Sequence, residues 1–172
     1  PRHLMSMSTS SSDYPCTPLS SIGPLISSVS RYYDTGSTRS LEWRLSHLRI
    51  LSKLASENSK DICEALWKDL KKPFVEASLY EVECVINECS KMISELPSLL
   101  NGPPVATPLS LLPAHSYIKY DPYGVVLLVV PFNSPFQLLF NVGSPIGGSG
   151  NCVVIKTSEW TPHCAHLSRA LM

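Results

Sequence analysis

The polar side chains best placed for chemistry follow two apolar runs. VVLLVV at 125–130 gives way to Pro131, Phe132, Asn133, Ser134, Pro135 and Phe136, and CVVI at 152–155 gives way to Lys156, Thr157, Ser158 and Glu159. An asparagine held at such a point can donate its side-chain amide to an oxygen that acquires negative charge, a contribution of about 2.7–4 kcal/mol when the donor is preorganised. Asn133, with a proline two residues to either side, suits that task; the same placement also suits an asparagine that caps the following helix. Lys156 and Glu159, three residues apart, match the two hydroxyls of a ribose, or equally a surface ion pair with Glu159 in a helix's first turn.

The other reactive residue types carry less. Six cysteines, Cys16, Cys63, Cys84, Cys89, Cys152 and Cys164, lack CxxC pairing and lie within apolar patterns, so they are expected to be reduced thiols of a cytoplasmic protein. Cys89, Cys152 and Cys164 read as small packing groups rather than nucleophiles. Among His47, His115, His163 and His166 only the last two are close in sequence, and that i, i+3 pair has no further ligand, so they read as solvated helix histidines and no metal site is expected. With 14 basic and 14 acidic residues the chain has no net field to attract nucleic acid. Its apolar runs are far shorter than the ~20 residues of a membrane span.

The elements that must position these groups follow from periodicity. Residues 1–24, rich in Ser, Thr and Pro, read as a disordered tail. Residues 25–100 form a helical segment. Leu41, Leu45, Leu48, Leu51 and Leu54 make one stripe behind a Ser40 cap, and Ile62, Leu66 and Leu70 a second that closes at Lys71, Lys72 and Pro73. Val75, Leu79, Val82, Ile86, Cys89, Ile93 and Leu96 make a third stripe, the longest, ending before Pro97. The proline-rich stretch 101–123 reads as a connector with a hairpin. Residues 124–172 then alternate strand, helix, strand, helix: VVLLVV lacks alternation, as in a strand buried on both faces, and Thr161 or Ser158 can cap the last helix. The fold class is α/β, a helical segment leading into the start of a doubly wound parallel, Rossmann-like sheet that is incomplete. In such a sheet both polar clusters lie at the carboxyl edge, where ligands bind.

PYGVVLLVVPFNSPFQLLF followed by GNCVVIKTSE is similar to the aldehyde dehydrogenase superfamily, in which the same strand, proline, asparagine and lysine-to-glutamate step recur at nearly this separation. TGSTRSLEWRLSHLRIL, ALWKDLKKPFVEASLYEVECVINE and TPLSLLPAHSYI resemble its class 3, fatty-aldehyde branch, so the resemblance covers about residues 25–172. It implies that the residue matching Asn133 holds a thiohemiacetal oxyanion, that those matching Lys156 and Glu159 hold the adenosine ribose of NAD or NADP, and that those matching Val130, Pro131 and Phe132 line the coenzyme's path. An aldehyde substrate, aliphatic of medium or long chain or aromatic, and a homodimer are implied in the same way. The chain departs from the family at Val130 (usually Gly), Phe132 (Trp), Ser134 (Tyr) and Thr157 (Pro), and Pro145 falls in a usually alanine-rich helix that it is expected to kink or shorten.

No cysteine here stands in the family's nucleophile context. The chain runs from Pro1 to Met172, which ends within an apparent helix, and so reads as a fragment. Two expectations follow: a dehydrogenase in the full-length parent, or a truncated, non-catalytic chain that at most binds partners. The opening PRHLMSMSTSSS has the hydroxyl-rich, acid-poor character of a transit peptide with Arg2 as its one strong base.

Overall fold

The computed structural model describes residues 16–172, so the transit-peptide motif and most of the expected tail lie outside the described residues. The tail reading is corrected from Leu19 onward, where helix α1 (Leu19–Asp34) begins. It runs through Pro24 and buries no residue fully, but Tyr33 fixes its end: the hydroxyl donates to the Pro122 carbonyl at 3.2 Å and the ring lies against Gly124, whose φ of 110° disfavours a side chain.

Helix α2 (Leu41–Glu57) starts where expected, with the Ser40 hydroxyl accepting from Trp43 N at 3.1 Å. Helix α3 (Ser59–Leu70) ends at Lys71 in the left-handed conformation, φ 57°, whose amide donates to Trp67 O. The third helical stretch differs from its sequence pattern. It comprises α4 (Phe74–Ala77), a π-helical stretch (Ser78–Glu83) and α5 (Cys84–Asn101). The wider π turns rotate the apolar stripe: Val75 and Leu79 end exposed, whereas Val82, Val85, Cys89, Met92 and Leu96 are buried. The helix also continues past Pro97, which sits inside it near the end, rather than stopping there.

Between 101 and 123 an isolated antiparallel bridge, Pro104 with Tyr117, stands in place of the expected hairpin. Strands β1 (Val125–Val129) and β2 (Cys152–Lys156) pair in parallel, Val125 opposite Cys152 through Val129 opposite Lys156, joined by helix α6 (Pro135–Gly148) and followed by α7 (Pro162–Leu171). The molecule is thus mostly helical around a small open parallel sheet. Burial on both faces is corrected for β1, since Leu127 and Val129 are exposed. Only one face of the strand packs against the core.

That core joins the helical layer to the α/β part: Ile62 and Leu66 of α3, Val82 and Val85 of the long helix, and Val130, Phe136, Leu139 and Phe140 form one buried cluster with Cys164. Full burial of a side chain such as Phe136 contributes about 1.5–3 kcal/mol. Pro145 does not shorten α6, which runs on to Gly148 with Ser149 N donating to Pro145 O at 2.9 Å. Arg44, buried in α2, donates to Thr38 O at 2.9 Å and reaches Gly148 O at 3.5 Å, a cation at the negative end of the α6 dipole. Gly150, at φ 93°, lies so close to this guanidinium that a Cβ would come within 2.5 Å of it. Among the described residues no helix is long and apolar enough to cross a membrane.

Candidate functional site

Parallel pairing sends both polar clusters out of the same sheet edge. Val129 lies opposite Lys156, and Val130 N donates to Lys156 O at 2.9 Å, so the loops carrying Asn133 and Glu159 leave side by side. They are held differently.

The first loop is anchored from beneath by Glu81, a carboxylate with no solvent exposure at the π-helical stretch. Its Oε2 accepts from Phe136 N at 3.1 Å and Gln137 N at 2.8 Å, two of the otherwise orphaned amides at the start of α6. Its Oε1 accepts from Lys72 Nζ, and the same ammonium donates to Asn133 O at 2.8 Å. A buried carboxylate is costly unless paired and hydrogen-bonded; here one ammonium and a helix amino terminus do both. The helix therefore receives its cap from 55 residues upstream, and the cap alternative for the Asn133 side chain is not what the structure contains. Asn133 is exposed, its backbone oxygen is fixed, and its side-chain amide has no hydrogen-bond partner among the described residues.

The neighbouring residues divide. Val130 is buried in the core cluster, so its side chain is a packing group, while Pro131 and Phe132 are exposed at the crevice edge. Phe132 is 51 % exposed, a large apolar surface in a loop that leads away from the strand.

In the second loop Lys156 Nζ donates to Glu159 Oε2 at 2.7 Å with both side chains largely exposed, so the ion-pair alternative is realised in this state. The Lys156 hydrogen bond holds the Glu159 carboxyl below its ordinary value. An exposed pair of this kind contributes little to stability, and both groups stay accessible to hydroxyls that bridge a donor and an acceptor. Neither Thr161 nor Ser158 caps α7. Asp69 of α3 does so, accepting from His163 N at 3.2 Å and Cys164 N at 2.8 Å, with His163 Nδ1 2.7 Å from the same carboxylate. The reading of His163 as a solvated histidine is corrected accordingly: its ring is tied to a buried acid.

Burial pushes Cys63, Cys89, Cys152 and Cys164 above the ordinary thiol value, Cys164 farthest, where Asp69 adds to the effect. Among the described residues no group of three or more His, Cys, Asp or Glu side chains converges as a metal site would require.

Lys72, Asp69 and Glu81 are the site residues that sequence reasoning missed. Lys72 passes for a lysine favouring a helix's carboxyl end, and the helix amides that the two acids cap lie 55 to 95 residues away, so no local spacing could have found them.

The model of the aldehyde dehydrogenase family matches residues 21–172. The chain is 36% identical over 145 residues to aldehyde dehydrogenase family 3 member I1, chloroplastic, of Arabidopsis thaliana, covering 83% of this chain and 26% of that protein. It is 34% identical over 154 residues to the dimeric NADP-preferring aldehyde dehydrogenase of Rattus norvegicus, covering 90% and 34%. Its fold superposes on the substrate-bound state of Staphylococcus aureus AldH with a TM-score of 0.84 at 36% identity, over 88% of this chain and 33% of that one. The chain therefore spans about a third of the length of the relatives it matches, and class 3 members are among them. With the strand-edge asparagine, the lysine-to-glutamate step and this match over most of its length, the chain belongs to the aldehyde dehydrogenase family.

Proposed function

We propose that this chain serves as the amino-terminal part of an NAD(P)-dependent aldehyde dehydrogenase that converts an aldehyde to a carboxylate. The observation that carries this reading is Asn133: a side-chain amide left uncommitted at the carboxyl edge of a parallel sheet, on a backbone fixed from below. That geometry suits a donor to an oxygen that becomes an anion when a thiolate adds to the aldehyde carbonyl. In this reading the nucleophile is supplied by the part of such an enzyme that this chain does not span, and the buried thiols Cys63, Cys89 and Cys164 are packing groups held above the ordinary thiol value.

Lys156 and Glu159 fit the coenzyme, because an exposed donor beside an exposed acceptor can exchange their mutual hydrogen bond for two bonds to vicinal ribose hydroxyls. When bound, NAD(P)+ supplies the hydride acceptor. Phe132, half exposed, and Pro131 offer an apolar wall beside it. The name of the rat relative favours NADP and a dimer. An aldehyde that is aliphatic of medium or long chain or aromatic, and action in the cytoplasm, belong to this proposal as carried over from the sequence.

The test is an assay of the full-length protein that carries this sequence. It should form NADH or NADPH only when an aldehyde is added, with one equivalent of carboxylate. The 172-residue chain alone should form none. Absence of aldehyde-dependent reduction by the full-length protein, across aliphatic and aromatic aldehydes and both coenzymes, would overturn the reading.

A further inference from the structure

The buried pair beneath the first loop has no place in the reaction as proposed. Glu81 is fully buried, and Lys72, whose side chain is 14% exposed, reaches it from just after α3. The two could have neutralised each other without touching the sheet edge. Instead, besides the bond to each other, they make three hydrogen bonds that converge on 133–137: Lys72 to Asn133 O, and Phe136 N and Gln137 N to Glu81. The π-helical stretch, a rare departure from α geometry, contains Glu81 itself.

We infer that Lys72 and Glu81 are positioning residues that set the orientation of Asn133. With the Asn133 carbonyl fixed and the first turn of α6 clamped, the amide moves only through its own two side-chain torsions, so the point from which it reaches a substrate oxygen is set. This inference rests on the function proposed above. A shift of a catalytic group by about 1 Å can cost on the order of 100-fold in rate. The pair therefore acts on turnover, and coenzyme affinity is left to the other loop.

Asp69 provides the matched control, since it is also a buried acid from the helical layer that caps a helix, but beneath the second loop. In the full-length protein Lys72→Met should lower kcat on the order of 10–100-fold with the coenzyme KM unchanged, Lys72→Arg should restore most of the loss, and Asp69→Asn should leave kcat near wild type while raising the coenzyme KM. Equal losses of kcat in Lys72→Met and Asp69→Asn, or an unchanged kcat in Lys72→Met, would overturn the inference.

A second measurement needs no activity. In the 172-residue chain, backbone amide exchange followed by mass spectrometry should quicken over 132–137 but not over 157–165 in Lys72→Met, and the reverse in Asp69→Asn. Uniform quickening over both segments, or none, sinks the positioning role. A full-length protein that reduces no coenzyme defeats the functional reading alone, because the exchange pattern still decides whether the pair holds the loop.

Discussion

The two strand-loop-helix units, β1 to α6 and β2 to α7, are built alike and held differently. Each helix opens on a proline, Pro135 or Pro162, and each takes its cap from a buried acid of the helical layer, Glu81 or Asp69. Among the described residues, the first has a cation, Lys72, that extends the anchor back into the loop. The second loop carries Lys156 and Glu159 bound to each other at the surface. A donor that must meet a transient anion benefits from a fixed backbone, whereas groups that grip two hydroxyls of a flexible ligand function with rotamer freedom. The difference in anchoring matches the difference between the tasks proposed for the two loops.

Removing the anchors should separate the units, and the largest effect is expected at Glu81. Glu81→Ala leaves Lys72 and two helix amides without their acceptor, and should destabilise the chain by about 3–5 kcal/mol in urea unfolding. Asp69→Ala removes the acceptor of two amides and of the His163 ring contact at the shorter α7, for a smaller loss of about 1–3 kcal/mol. Equal losses would mean that Lys72 adds nothing to the first anchor.

At the surface the order reverses. Lys156→Ala or Glu159→Ala should leave the unfolding midpoint where it is, because the pair is solvated, and weaken NAD(P)+ binding by full-length protein about tenfold or more, as loss of a charge-assisted hydrogen bond does. Titration calorimetry checks this, and an altered midpoint with unaltered binding would return the pair to a structural role.

The smallest effects concern thiols and association. Alkylation of the native chain should mark exposed Cys16 readily while Cys63, Cys89 and Cys164 react only on unfolding, since burial removes access and keeps them protonated. The exposed Leu127 and Val129 on β1 should draw the 172-residue chain into association, visible as sedimentation faster than a monomer's.

What was legible in the sequence was local or strongly periodic. The Ser40 cap, the stripe of α2, the break at Lys71 and both apolar strands depend on neighbours within a few residues, and the polar clusters after the strands follow from strand ends alone. Helix α1 was hidden because serines and Pro24 dilute its apolar face, which packs only partly. The π-helical stretch has no spacing signature, so Val75 and Leu79 were placed on a stripe they do not join. Glu81 and Asp69 were invisible for a different reason. A buried acid that caps a distant helix resembles any other acid until the chain folds, and the cap reading of Asn133 falls away only with the cap found elsewhere, which leaves the donor role as the proposal.

Everything about the first unit converges on the free amide of Asn133, so its replacement is the most direct test. In the full-length protein Asn133→Ala should lower kcat by about 10²–10³, as loss of one oxyanion donor does, with the coenzyme KM and the unfolding midpoint near wild type. Turnover that survives Asn133→Ala, or a loss that appears only as a weaker coenzyme KM, would contradict the assignment of Asn133 as the oxyanion donor.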